Sequence, residues 1–376
     1  MSTTRPWRRR QWIWSLLVGA LLAGCAGIEP EPPKGVMDTP GHHYTAGIRL
    51  LDSGDPVRAQ QEFERAHALD PDYAPALEGL GLVALSRGDL TRAEECLARA
   101  RRKDSDYVPA YVTTGRVLAA KTDLKGAREA FRAALDRDAR HVAAHFYLGQ
   151  AELKSFEFGR AEASFSRALE LDPTFAPARR EWERSVKIRM ASPGTVVGRK
   201  IALADPISRA DLAALLGTEF GLEDKLRKRR PEVFDASYEP PKGSRLKLSR
   251  APVRASDIDG HWAKNAIELV LRLNLIELFP DQTFRPDAPA SRATLAMVLH
   301  ELLIATRGDE RVRTQLVGGA SPFPDVRSDH FAFPAVIVTT TTGFMGADPK
   351  TGTFRLGDPV SGPDTLLGLR KLAELF

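Results

Sequence analysis

The residues whose types and spacing could do chemistry are few. His141 and His145 stand four apart, which puts two imidazoles on one helical face and suits a pair of metal ligands. No third ligand accompanies them, and His145 falls at a recurring position where a packing side chain belongs, so no metal site is expected. The chain has no phosphate-cradling Gly-Lys-Ser/Thr loop, no Gly-x-Ser-x-Gly elbow and no His-Glu-x-x-His zinc motif. Its acidic residues follow exposed helix faces and single out no carboxylate pair for acid–base work. No catalytic residue and no cofactor are therefore expected, and the chain reads as a non-enzyme. Only two cysteines occur, Cys25 and Cys96. Cys96 suits a small apolar filler, and an internal disulfide framework would need a second thiol in the mature domain. One dense cationic run, Lys225, Arg227, Lys228, Arg229 and Arg230 closed by Pro231, suits either a solvated helix end or contact with an anionic wall polymer or lipid headgroups.

These groups need elements to hold them, and the first element is an export segment. Arg8-Arg9-Arg10 precedes an apolar run from Trp12 to Ala23. At about 12 residues that run is short of the ~20 that span a bilayer. The ending Leu22-Ala23-Gly24-Cys25 resembles a bacterial lipobox, which implies removal of residues 1–24 as a signal peptide and acylation of Cys25. Ala26, where an aspartate would favour the inner membrane, implies an outer-membrane lipid anchor facing the periplasm. Residues 25–41 are rich in Pro and Gly without apolar periodicity and read as a flexible tether, reaching up to roughly 50 Å. Of 54 basic residues, four lie in the first 24, leaving 50 against 49 acidic ones. A nearly neutral mature chain lacks the basic face that a nucleic-acid partner needs.

From His43 to Asp172 one pattern recurs every 34 residues. Its marks are Gly47, Gly81, Gly115 and Gly149; then Ala59, Ala93, Ala127 and Ala161; then Phe63, Leu97, Phe131 and Phe165; then Ala66, Ala100, Ala134 and Ala168. The array resembles tetratricopeptide repeats. The resemblance implies four helical hairpins stacked as a solenoid over 42–190, with a charged capping helix at 175–190 carrying Trp182 and Val186. It also implies a concave groove lined by Tyr44, Ile48, Leu51, Glu78, Leu82, Leu85, Val112, Arg116, Ala119, Phe146, Gln150 and Leu153. Mostly apolar, that groove should accept an amphipathic helix or an apolar extended segment of a protein partner. The lysine and asparagine set with which some relatives grip a C-terminal carboxylate is missing.

Ala191-Ser192-Pro193-Gly194 ends the register, so a linker is expected at 191–199. Beyond it, Ile258-Asp259-Gly260-His261-Trp262-Ala263 leads into a helix. The loop Phe279–Pro286 follows, then a second helix opened by Ser291-Arg292-Ala293. This resembles an S-layer-homology repeat, with Asn274, Leu278, Gln282 and Thr294 as departures from its pattern. Two fainter copies flank it, giving a partial unit at 200–235, the best unit at 256–305 and a degenerate unit at 321–376. The degenerate copy lacks the motif arginine, and a Pro-, Lys- and Arg-rich insert at 236–255 is expected to be an exposed loop. The resemblance implies cell-wall carbohydrate as a ligand, with Trp262, Arg292 and Arg209 at the site.

The expected fold is all-α: a tetratricopeptide solenoid followed by a smaller helical S-layer-homology-like module at 200–376. The expected function is a non-enzymatic outer-membrane lipoprotein that docks an envelope protein and tethers or organises a complex, holding the wall through its C-terminal module. The alternative is a pilotin-like assembly chaperone for a secretin or surface-export machine, with that module structural only.

Overall fold

The computed structural model describes residues 30–229, 254–307 and 319–375. The expected signal peptide, Cys25 and nearly all of the insert lie outside the described residues. Helices dominate; the described residues hold no β-strand, only the isolated bridges Ser208–Pro289 and Ser291–Pro359. None of the described helices is long and apolar enough to cross a membrane.

Eight helices follow the 34-residue register: α1 (Pro40–Asp52), α2 (Pro56–Leu69), α3 (Ala74–Ser86), α4 (Leu90–Lys103), α5 (Val108–Ala120), α6 (Leu124–Arg137), α7 (Val142–Lys154) and α8 (Phe158–Leu171). The breaks inside the hairpins are built alike. Gly54 (φ 81°) and Gly88 (φ 79°) turn the chain through the left-handed region. Asp55, Asp89 and Asp123 then cap the next helix by accepting from the backbone N–H groups of Arg58, Arg92 and Gly126. Between paired helices the small residues make room for a ring. A Cβ on Gly47 would stand 2.5 Å from Phe63 Cε1, one on Gly79 2.3 Å from Phe63 Cδ1, and one on Gly115 2.4 Å from Phe131 Cε1. Phe63 and Phe131 are accordingly buried, and both rings anchor the cores of their hairpins.

The described chain forms two compact units, Met1–Ala151 and Glu152–Phe376. Their boundary falls within α7, not in the stretch 191–199. α8 therefore belongs to the second unit, together with α9 (Ala176–Ala191). α9 occupies the place expected for a solvated cap, yet it packs on α8 and also on a C-terminal helix, α16, introduced below. Ile188 and Ser185 are fully buried on it. The expected linker is itself partly helical, because α10 (Val196–Ile201) begins inside it, capped by Thr195.

The rest of the second unit is three helix–loop–helix copies. The first pairs α10 with α11 (Arg209–Ala214), which runs on through a π-helical turn, Leu215–Glu219, and is followed by α12 (Leu222–Arg229). The second pairs α13 (Lys264–Arg272) with α14 (Arg292–Arg307), and the third pairs α15 (Phe333–Thr341) with α16 (Gly362–Ala373). Where the second copy departs from glycine, Asn274 (φ 53°) and Gln282 (φ 61°) take the left-handed conformation that Gly343 (φ 73°) and Gly352 (φ 68°) hold in the third. Asp257 accepts from the backbone N–H groups of Phe284 and Arg285, and Asp325 accepts likewise from Phe354 and Arg355. The segments Pro206-Ile207-Ser208, Pro289-Ala290-Ser291 and Pro359-Val360-Ser361 meet in a closed ring. Ile207 N–H donates to Val360 O (3.0 Å), Val360 N–H to Ala290 O (2.9 Å), and Ala290 N–H to Ile207 O (3.0 Å). A ring of this kind needs three partners, so each of the two weakly patterned copies supplies one segment to it as the second does.

Candidate functional site

The inner faces of the first helices divide the expected groove residues in two. Tyr44, Ile48, Leu51, Leu82, Leu85, Arg116, Ala119 and Gln150 are partly exposed. Glu78, Val112, Phe146 and Leu153 are buried and present no free surface. The physical reason is visible at Glu78, where the first helices of three repeats converge. Its carboxylate accepts from Thr113 Oγ1 (2.7 Å) and Tyr44 OH (3.2 Å), and Tyr107 OH donates to Tyr44 OH (3.3 Å). Burial pushes the Glu78 carboxyl above its ordinary value, and burial followed by the nearby Glu78 charge raises the Tyr44 phenol. Arg116 lies 5.0 Å over the Tyr147 ring and has no ion-pair partner among the described residues. The groove side of this unit is thus apolar at Ile48, Leu82 and Leu85 and cationic at Arg116.

His141 and His145 make local contacts. His141 Nδ1 accepts from the Ala144 N–H (3.2 Å), and His145 Nε2 lies 3.0 Å from Ala139 O. Cys96 is buried, which raises its thiol.

In the second unit the motif arginines stand at like positions. Arg209 opens α11, is 8% exposed, and reaches into the next copy. Its Nε donates to Phe284 O and its Nη2 to Glu277 O, both at 2.8 Å, with the guanidinium 4.7 Å over Phe284 and 4.9 Å over Phe279. Arg292 repeats this geometry one copy on, donating from Nε to Phe354 O and from Nη2 to Gly346 O, both at 2.6 Å. At the third junction stands Gly362, where a Cβ would lie 1.9 Å from Ile201 O, so no side chain fits there. Neither arginine has a carboxylate within ion-pair distance among the described residues.

Beside Arg209 opens a cavity of about 280 Å³, lined among others by Asn274, Glu277, Thr294, His300 and Phe331. The structure brings Arg209 and Phe331 to it but leaves Arg292 and Trp262 away from its walls. Trp262 is 63% exposed beside His261, and Phe331 is 75% exposed, its ring stacked 4.4 Å from His330. Phe331 is a residue that sequence reasoning missed. The signal was there: His330-Phe331-Ala332 stands in the third copy where His261-Trp262-Ala263 stands in the second.

Comparison with known proteins finds both kinds of repeat. Tetratricopeptide-repeat family models match residues 50–113 and 112–174, and the S-layer homology domain model matches 256–296. A "Cellulosome-anchoring protein" of Acetivibrio thermocellus is 34% identical over 77 residues, covering 20% of this chain and 15% of that protein. "Cell surface glycoprotein 1" of the same organism is 31% identical over 98 residues, covering 26% of this chain and 4% of its own length. The chain thus spans less than a sixth of either relative. Among solved structures, a thermophilic tetratricopeptide-repeat protein of Thermus thermophilus is 21% identical with a TM-score of 0.37, covering 50% of this chain and 96% of that one. MamA is 23% identical with a TM-score of 0.31, covering 36% and 80%. The chain carries tetratricopeptide repeats and a C-terminal S-layer homology domain, in an all-helical fold.

Proposed function

We propose that this chain is a non-enzymatic outer-membrane lipoprotein, facing the periplasm. It docks an envelope protein on its repeats and binds anionic cell-wall carbohydrate through the cavity beside Arg209. Tetratricopeptide repeats speak for protein–protein interaction and the S-layer homology domain for cell-wall anchoring, and both are generally non-catalytic scaffolds. The observation that carries the wall reading is the cavity itself. It is of monosaccharide dimensions, and a guanidinium without a carboxylate partner stands in its wall beside an exposed aromatic face. A guanidinium whose charge is not offset by a carboxylate, beside an apolar face, suits an acidic sugar, whose carboxylate or phosphate faces the arginine while its ring stacks on Phe331. Arg292 and Trp262 belong to the wall reading as further contacts, and Tyr44, Ile48, Leu51, Leu82, Leu85, Arg116 and Gln150 are the groove residues that meet the protein partner.

The competing reading, a pilotin-like assembly chaperone with a structural C-terminal module, is favoured by one fact. Both arginines already donate twice to backbone carbonyls of the following copy. Sedimentation with isolated cell-wall sacculi separates the two. The full chain is expected to pellet, and Phe331→Ala, which alters only an exposed ring, is expected to lose most of that pelleting while keeping its circular dichroism. A full chain that stays in the supernatant removes the wall reading and leaves the chaperone.

A further inference from the structure

The stretch 25–41, expected to be a free tether, is docked over most of its described part. Glu31 N–H donates to Ala68 O at the end of α2 (2.7 Å). Arg65, on the outer face of α2, pairs with Glu31, donates to Pro32 O (3.2 Å), and holds Asp38 with two donors. His43 closes the strap from the α1 side, one ring nitrogen 2.7 Å from Asp38 and the other 2.6 Å from Glu62. The repeat register explains why a strap is there. Arg99, 34 residues after Arg65, meets His67 of the preceding repeat (3.1 Å). Arg65 has no preceding repeat to meet, and the strap takes that place. An open solenoid end must be covered, and here the cover is the segment that also leads to Cys25.

Two consequences follow. Between Cys25 and Pro30 there are only five residue steps, at most roughly 17 Å of chain, against the roughly 50 Å of an undocked tether. The strap also turns at Gly35, with Val36 95% exposed and Met37 66% exposed at the turn. Its acidic groups are already engaged: Glu31 and Asp38 both pair with Arg65, and Asp38 also lies 2.7 Å from a ring nitrogen of His43. The Lys34 ammonium, by contrast, has no acidic partner among the described residues.

We propose that this strapped end of the repeat array is a membrane-contact surface, with Val36 and Met37 seated among phospholipid headgroups and Lys34 facing anionic lipid. The proposal rests on the lipid anchor at Cys25. A headgroup layer is only about 5–8 Å deep on each side of the hydrocarbon, so a tether of this length leaves the turn within reach of it. Exposed apolar side chains beside a cation are the composition that an interfacial contact selects.

The test uses the acylated full chain with Met37→Cys in a Cys96→Ser background, labelled with an environment-sensitive dye. It is reconstituted in phosphatidylethanolamine–phosphatidylglycerol vesicles carrying headgroup-depth spin-labelled lipid. The expected result is a blue-shifted emission with at least a two-fold quench. A second dye, at Asp52→Cys on α1, should transfer energy to a lipid acceptor less well once Arg65→Ala frees the strap. If the chain floats with the vesicles but the label at position 37 keeps its aqueous, unquenched emission, the contact is overturned while the anchor stands. If the energy transfer is the same in Arg65→Ala, the strap does not set the distance and the proposal is likewise overturned. A chain that fails to float at all overturns the anchor and this contact together.

Discussion

Glu78 shows what one residue can reveal about a repeat array. A carboxylate with 3% exposure is costly to ionise, and its two neutral donors offset only part of that cost. Because burial holds its folded-state pKa above the ordinary value, between those two values the folded chain keeps a proton that the unfolded chain has released. This contribution is fully present at or below the ordinary carboxylate pKa of about 4.3 and is lost as the pH rises from there to the folded-state value. Glu78→Gln keeps an acceptor for Thr113 and cannot ionise. A series of melting temperatures from pH 4 to pH 8 is expected to fall more steeply with pH in the wild type than in the variant, and parallel curves would refute the argument. Glu78→Ala, by contrast, strands the Thr113 hydroxyl and is expected to cost about 1–3 kcal/mol at any pH. None of this was legible in the sequence. Glu78 occupies a groove position by register, and only the convergence of Tyr44, Tyr107 and Thr113 from neighbouring repeats turns it inward.

At the scale of elements the sequence was far more explicit, because hairpin packing is written in residue volume. A glycine opposite a phenylalanine at a fixed spacing states that a helix backbone and a ring must touch. Gly115 and Gly81 make the point quantitative. An alanine Cβ at 115 would stand 2.4 Å from the rigid Phe131 ring, whereas at 81 it would meet Leu97 Cγ at 3.0 Å, a branched chain that can yield. Overpacking costs about 1–3 kcal/mol, and Gly→Ala within a helix returns about 1 kcal/mol of propensity. Gly115→Ala is therefore expected to be net destabilising, and Gly81→Ala close to neutral. Chemical denaturation of the two variants checks this, and equal losses would show that the ring is not what sets the spacing. What the pattern hid were contacts made by backbone. The ring through Ile207, Ala290 and Val360 uses only N–H and C=O groups, so its one trace in the sequence is a Pro-x-Ser that recurs in each copy, and the first copy's short α10 looked like linker. The strap was hidden for a related reason: a Pro- and Gly-rich polar stretch has the same composition whether it is free or held by a few side chains of α1 and α2.

For the whole molecule the consequence lies in where the chain divides. Sequence register stops near 191, and a boundary there follows from counting repeats. Packing places it elsewhere, since α9 buries Ile188 and Ser185 and lies against α16, with Lys187 bridged to Asp364 at 2.7 Å. That ion pair is exposed and is worth about 1 kcal/mol or less, so the apolar contact must supply most of the attachment. Fully burying an isoleucine alone contributes about 1.5–3 kcal/mol. α8 and α9 should then open with the C-terminal copies rather than with the hairpins of the first unit. Native-state hydrogen exchange on the full chain tests this directly, because cooperative units share an opening free energy. The amides of α9 are expected to exchange at the rate of those in α14 and α16, and Ile188→Ala should raise all three together, leaving α3 and α5 unchanged. Exchange of α9 in step with α3 would return the boundary to the register, and the C-terminal module would then be a separate bead. The distinction bears on function. If α8 and α9 share the core of the C-terminal copies, loosening Ile188 disturbs the elements around Arg209 and leaves the groove helices α3 and α5 as they are.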